Sequence, residues 1–132
     1  MPNFLVRQLL YGGTPARASD INSETKFALD YWKVPCPETI ESLVEQDPDR
    51  KICLVDFQQQ SQMNPCIKME NIAGSIDHHA IQGNAIITEK PILVDIRPWG
   101  SMSSILAHSF AVHEKPLPKS IAGILLSAIL SD

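Results

Sequence analysis

Three short apolar segments most constrain the fold of this chain, because predicted helices precede and follow them. The segments are KICLVDF (residues 51–57), NIAGSIDHH (71–79) and KPILVDIRP (90–98). Each is a nearly continuous run of β-prone residues, which is typical of strands covered on both faces of a parallel sheet. Strands that alternate with helices predict an α/β domain with a mainly parallel sheet and helices on both faces.

The helices are predicted from apolar residues at helical spacing and from residues that favour helix ends. The second begins at Asn22 or Ser23 as N-cap, and the third has Pro37 at its start. TPARAS (14–19) is compatible with a short edge strand. The helical segments are PNFLVRQLLY (2–11), NSETKFALDYW (22–32), PETIESLVEQ (37–46), GSMSSILAHSFAVHE (100–114) and the strongly apolar KSIAGILLSAIL (119–130).

Composition excludes several classes of function. The net charge is −4, with eleven basic residues scattered among fifteen acidic ones, so no basic surface for nucleic acid is expected. The longest apolar stretch, at residues 121–130, is about half of the roughly 20 residues that a membrane span needs, which predicts a buried helix and no membrane partner. The three cysteines have no CxxC spacing. Reduced thiols and a cytoplasmic location are therefore expected.

Acids and histidines follow two of the predicted strands. Asp56 follows ICLV, and Asp77, His78 and His79 follow GSI. Ligands of open α/β sheets bind beyond the carboxyl ends of the strands, so these side chains are candidate site residues. Asp132, after the last apolar helix, is a third candidate carboxylate. Carboxylates with imidazole suit a divalent metal such as manganese; the alternatives are a polar turn that closes a strand and, for Asp132, a solvated carboxylate.

Five segments carry a resemblance to a known family. ICLVDFQQQSQ, GSIDHHAI, RPWGSMSSILAH and IAGILLSAILSD have the order and approximate spacing of the DHH phosphoesterase superfamily. With ETKFALDYWKV, the chain resembles the manganese-dependent (family II) inorganic pyrophosphatases from about Arg7 to Asp132. The resemblance implies that residues 1–132 are a single, partial N-terminal DHH domain. Its sheet would be Rossmann-like and incomplete at both ends, and the family's C-terminal substrate-binding domain would be absent.

The resemblance also implies roles for the candidate residues. Asp56 would bridge two metal ions, and His78 and Asp132 would be further ligands of one of them. His79 would be the catalytic histidine that contacts the phosphate of the substrate. Asp77 would orient the histidines by hydrogen bonding, as metal-ligating imidazoles usually require. The implied cofactor is Mn²⁺, with Co²⁺ or Mg²⁺ as alternatives.

A further implied feature is a helix N-terminus at Gly100 and Ser101 that faces phosphate. The alternative there is that a serine only caps the helix. The implied reaction is two-metal hydrolysis of pyrophosphate or polyphosphate, in which a metal-activated hydroxide attacks phosphorus.

Three departures from the family qualify these expectations. The motif His-x-x-x-Asp-x-Asp of the first strand and the basic C-terminal domain are absent from the 132 residues. Phe57 stands where many members have a histidine. The 132-residue polypeptide is therefore expected to be inactive. It is also expected to form a homodimer or to self-associate through a strand edge that the missing strand leaves exposed. An exopolyphosphatase, another DHH phosphoesterase and a catalytically dead DHH-like interaction module remain alternatives.

Overall fold

The computed structural model describes residues 12–131, which form two parallel sheets flanked by helices. The predicted helix at residues 2–11 and Asp132 lie outside the described residues. The strands are β1 (Ala16–Arg17), β2 (Glu38–Thr39), β3 (Ile52–Val55), β4 (Ile72–Asp77) and β5 (Leu93–Ile96), and the helices are α1 (Ser23–Tyr31), α2 (Ile40–Gln46), α3 (Met102–Val112) and α4 (Lys119–Ser131).

The larger sheet contains the three predicted apolar strands in the order β3-β4-β5, and all of them are parallel. At its carboxyl edge Val55 pairs with Ile76, and Asp77 pairs with Ile96. This arrangement confirms the predicted α/β fold with a parallel sheet. It also places the residues that follow these strands at one edge of the sheet.

Strand β3 shows how the sheet is buried on both faces. Ile52 and Leu54 are buried in a cluster with Ile40 of α2. Cys53 and Val55 point to the other face and pack against the core formed by α1, α3 and α4. Two-sided coverage explains why the sequence of this strand has no alternating polar residues.

Strand β5 departs from this prediction. Leu93 is 49% exposed and Val94 is 58% exposed, although the apolar run predicts coverage on both faces. Among the described strands β5 pairs with β4 along one edge and forms the outer edge of the sheet. A continuous apolar run predicts that a segment forms a strand, but it does not predict whether a helix covers that strand.

The first two helices begin at side-chain caps. The Oδ1 of Asn22 accepts a hydrogen bond from the Thr25 amide at 2.8 Å, so Asn22 is the N-cap of α1. Helix α2 begins at Ile40, later than the Pro37 start predicted from sequence. Thr39 caps it by accepting from the Ser42 amide at 3.3 Å. Residues 38–39 are extended instead because they pair with β1, the predicted edge strand.

Helix α4 is buried along one side. It packs against α3 through a core that includes Ile121, Ile124, Leu125 and Ala128, while Leu126 and Leu130 are exposed. In the part of the chain that the structure describes, no helix is both long and apolar enough to cross a membrane. The buried helix predicted from the sequence is therefore confirmed for one side of α4.

Helix α4 is locked to the end of α1 by a tryptophan. The Trp32 indole nitrogen donates to Ser127 Oγ at 3.0 Å, and Ser127 Oγ donates to the Gly123 carbonyl at 2.9 Å. A Cβ built at Gly123 would overlap the indole ring. The contact therefore requires glycine at this position, and it fixes the half of α4 that leads to Ser131.

We expect Gly123→Ala to lower the free energy of unfolding by about 1–3 kcal/mol, the usual cost of overpacking. In an open helix the same change would stabilise the protein by up to about 1 kcal/mol, because alanine is the better helix former. The sign of the change in the free energy of unfolding, measured by urea denaturation, therefore reports the contact with Trp32. Gly83→Ala is the control, since no atom lies near a Cβ built there. A gain in stability for Gly123→Ala would contradict the packing.

Candidate metal centre

Four acid and imidazole side chains meet at the carboxyl ends of β3 and β4. One donor atom from each of Asp56, Asp77, His78 and His79 lies within 4.8 Å of the others. Among residues 12–131 this is the one group of three or more histidine, cysteine, aspartate or glutamate side chains with such spacing. The structure thus brings together the candidate residues that the sequence places after two strands. Asp132 lies outside the described residues.

Asp56 reaches the cluster through a turn that ends β3. Its amide donates to the Ile76 carbonyl at 3.0 Å, and its φ of 73° lies in the left-handed region. Aspartate tolerates this region better than most residues, although at some cost. Strained backbone of this kind is frequent at functional sites. The turn brings Asp56 Oδ1 to 3.1 Å from His78 Nε2.

His78 is held by a main-chain carbonyl. Its Nδ1 lies 2.9 Å from the Trp99 carbonyl oxygen. A carbonyl can only accept, so Nδ1 carries the proton and donates it. In the neutral ring, Nε2 then presents a lone pair toward the Asp56 carboxylate, and these groups repel unless a proton or a cation joins them. This is the arrangement of a metal-ligating histidine whose other nitrogen is held by a hydrogen bond.

His79 is held by a carboxylate. Asp77 is fully buried, and its Oδ1 accepts from His79 Nδ1 at 2.7 Å. The same oxygen accepts from the amides of His78 at 2.7 Å and His79 at 3.3 Å. The side chain of His79 is 59% exposed, which leaves Nε2 for an external partner. These are the hydrogen bonds that an orienting role for Asp77 requires, and the role itself stays a prediction.

The electrostatics of the cluster suit a cation. Burial raises the pKa of the Asp56 carboxyl, and the imidazoles of His78 and His79 oppose that rise. The Oδ2 atom of Asp77 is buried and accepts no hydrogen bond from residues 12–131. Desolvated negative charge of this kind is costly. A divalent ion beside Asp56 and His78 would offset it, and these nitrogen and oxygen donors are ones that manganese accepts.

A turn after β5 completes the cluster, and the sequence analysis missed it. The Arg97 amide donates to the Asp77 carbonyl at 3.1 Å, and Trp99 supplies the carbonyl that holds His78. The Arg97 guanidinium pairs with both Asp95 oxygens, at 2.7 and 3.0 Å, and lies 5.0 Å from the centre of the Trp99 ring. The sequence does not reveal which main-chain carbonyl will accept a hydrogen bond, because every residue has one. The position of this turn, at the carboxyl end of the strand next to β4, was the one feature of the sequence that pointed to it.

The N-terminus of α3 follows that turn directly. Ser101 is buried, and its Oγ accepts from the Ser103 amide at 3.2 Å, so its hydroxyl caps the helix. This is the capping alternative raised for this serine. Gly100 is exposed. A phosphate-facing role for Gly100 and Ser101 stays a prediction.

Comparisons with known proteins find relatives over most of this chain. No protein-family model matches the chain. The chain is 36% identical to a manganese-dependent inorganic pyrophosphatase of Methanothrix thermoacetophila over 118 aligned residues, and the alignment covers 89% of this chain. It is 37% identical over 120 residues to a protein of Streptococcus pyogenes serotype M5 named as a probable enzyme of the same kind, which covers 91%. A Methanococcus jannaschii crystal structure assigned to family II inorganic pyrophosphatase superposes with a TM-score of 0.79 at 31% identity over 97% of this chain.

Over most of its length the chain matches manganese-dependent, family II inorganic pyrophosphatases. This confirms the family resemblance inferred from the sequence motifs. The chain spans 36% of the length of the Methanothrix and Streptococcus relatives and 42% of the Methanococcus chain. Because it covers about a third of such proteins, the activity of a whole family member is a proposal for this chain.

We expect Asp77→Asn to lower the free energy of unfolding by about 1–3 kcal/mol, because the new amide places a donor at the buried Oδ2 position, which has no hydrogen-bond partner among residues 12–131. Chemical denaturation measures the change. Asp95→Asn is the matched control, because its ion pair with Arg97 is partly exposed and should contribute less than about 1 kcal/mol. Equal effects of the two substitutions would show that Asp77 does not stabilise the turn around the histidines.

Proposed function

We propose that this chain contributes a manganese and phosphate site to the hydrolysis of inorganic pyrophosphate to two phosphates. One observation carries the proposal: His78 Nε2 and Asp56 Oδ1 converge at 3.1 Å while the other nitrogen of His78 is held by the Trp99 carbonyl. The names of the relatives support manganese as the metal and pyrophosphate as the substrate.

In this proposal Asp56 and His78 hold the metal, with Asp132 as a third ligand and Asp56 also serving a second ion. Bound Mn²⁺ would supply an activated water and would neutralise charge on the phosphate oxygens; Co²⁺ or Mg²⁺ could serve in the same position. The buried sheet edge beneath Asp56 keeps its carboxylate in place, because its main chain is fixed to β4 at Ile76.

His79 is proposed to contact the substrate. Its Nδ1 donates to Asp77, so the ring has a fixed orientation, and its side chain is 59% exposed. When the ring is protonated, Nε2 can donate to a phosphate oxygen, and such charge-assisted hydrogen bonds are the stronger kind. The adjacent histidines thus serve different partners, one the metal and the other the anion.

One observation favours a second candidate, an interaction module without catalysis. Two-metal hydrolysis needs ligands for two ions, and residues 12–131 contain one cluster of donor side chains. In this polypeptide alone, Asp56 would be the ligand that binds the second ion. Measurements of metal stoichiometry and turnover therefore separate the two candidates.

We expect isothermal titration calorimetry to report about one Mn²⁺ per chain, bound weakly, because the proposed three ligands leave the other positions to water. His78→Ala and Asp56→Ala should each abolish this binding, while His79→Ala should retain it. His113→Ala is the control, since that ring contacts Ser109 of α3. Release of phosphate from pyrophosphate should stay at background for the polypeptide alone.

Two results would contradict this assignment. Manganese binding that survives His78→Ala would show that the ion sits elsewhere. Two bound ions with turnover would show that further residues of this chain are ligands, and it would exclude the interaction module.

We also propose that the chain acts in the cytoplasm. Cys36, Cys53 and Cys66 are free thiols in the structure. Free thiols persist in reducing compartments, whereas disulfides are usual in oxidising ones. A disulfide-free α/β domain of this kind therefore fits a cytoplasmic enzyme.

Self-association is a further part of the proposal. Among the described strands β3 is the outer strand opposite β5, and residues Ile52–Phe57 line a groove of about 450 Å³ with Ile40 and Leu43. An unpaired strand edge beside apolar side chains is a template for pairing with another chain. We expect light scattering at micromolar concentration to show a dimer or larger species. A stable, monodisperse monomer would contradict this expectation.

A further inference from the structure

A run of glutamines, Gln58–Gln60, connects the turn after β3 to the segment that follows the histidines. Gln58 Nε2 donates to the Ala80 carbonyl at 2.9 Å, and the Ile86 amide donates to the Gln58 carbonyl at 2.8 Å. The main-chain amide of Gln60 donates to the Asn84 carbonyl at 2.9 Å, and its side-chain Nε2 donates to the Ala85 carbonyl at 3.0 Å. Residues 80–86 are thus tied to the glutamines at both ends.

Gln58 has the central position in this set of hydrogen bonds. It lies two residues after Asp56, and its acceptor, the Ala80 carbonyl, lies one residue after His79. The other side of the turn is fixed to β4, because Ser75 Oγ donates to the Phe57 carbonyl at 3.3 Å. Gln58 therefore ties the main chain that follows His79 to the turn after β3.

The side chain of Gln58 is not explained by packing. It is 3% exposed, and its Oε1 has no hydrogen-bond partner among residues 12–131. A buried amide with an unpaired oxygen costs free energy, so a position that only fills space would favour an apolar side chain. The donor Nε2 is the group that makes glutamine useful here. In its target segment, residues 79–84 are exposed and contain no helix or strand, and Gln60 holds the far end at Asn84.

We propose that Gln58 is a positioning residue that holds the main chain after His79 and so aims the His79 ring at a phosphate group. Asp77 fixes the ring through Nδ1, and Gln58 fixes the backbone beyond it. The inference rests on the proposed function of His79 as the phosphate contact. It assigns Gln58 no contact with the metal.

The test uses Gln58→Met in the full 132-residue chain, because methionine has nearly the same length and lacks the donor. Gln62→Met is the matched control, since Gln62 is exposed. Three measurements are made: hydrogen exchange of the His79 amide, Mn²⁺ affinity by calorimetry, and binding of inorganic phosphate to the manganese-loaded protein by equilibrium dialysis. The His79 amide donates to Asp77 Oδ1 directly before Ala80, so its exchange reports loosening of the main chain that Gln58 contacts. For Gln58→Met we expect His79 exchange and the phosphate Kd each to rise about fivefold, as for loss of one hydrogen bond. Mn²⁺ affinity should stay unchanged.

Several outcomes would overturn the inference. Unchanged His79 exchange would show that Gln58 does not hold the segment, and faster exchange with unchanged phosphate Kd would show that the segment does not aim His79. A parallel loss of Mn²⁺ affinity would place Gln58 in the metal site. If Gln58→Met does not fold, Gln58→Leu replaces it, because leucine also lacks the donor and suits a buried position. If the unmodified chain binds no phosphate, the proposed role of His79 fails, and His79 exchange alone decides whether Gln58 positions the segment.

Discussion

The hydrogen bond from the Asp56 amide to the Ile76 carbonyl is the interaction on which the site depends. It extends the pairing of β3 and β4 by one residue and then ends it, because Asp56 turns into the left-handed region. The Asp56 carboxylate therefore lies level with the residues that follow Ile76 on β4. Without this register, Asp56 and His78 would lie on adjacent strands without converging at 3.1 Å.

The two histidines differ because different acceptors hold them. A neutral carbonyl holds Nδ1 of His78, whereas a buried carboxylate holds Nδ1 of His79. A metal requires an unprotonated nitrogen, and in the neutral ring of His78 that nitrogen is Nε2, because Nδ1 donates to the carbonyl. An anion needs a donor, and in the protonated ring of His79 Nε2 can donate to it while Nδ1 donates to Asp77. The adjacent histidines thus differ because Nδ1 of His78 contacts the turn after β5, whereas Nδ1 of His79 contacts Asp77 of β4 itself.

Much of the fold and of the candidate site could be predicted from the sequence, because both depend on local patterns. Continuous apolar runs predicted the strands, and the acids and histidines at their ends predicted which residues would meet. The contacts that aim those residues could not be predicted in the same way. The Trp99 acceptor is main chain, and the contact from Gln58 to Ala80 joins two loops whose separation depends on the whole sheet. The exposure of β5 depends on what covers the sheet, which no local pattern encodes.

The remaining proposed ligand depends on helix packing. Asp132 follows Ser131 in the sequence, and Ser131 ends α4, a helix locked at Gly123 and Ser127 by Trp32. The carbonyl end of a helix carries partial negative charge, so an acid placed there is unfavourable until a cation binds. A metal shared by Asp56, His78 and Asp132 would convert that repulsion into attraction. Metal binding would then stabilise the packing of α4, and the fit of Trp32 against Gly123 would in turn contribute to metal affinity, because binding and folding are thermodynamically linked.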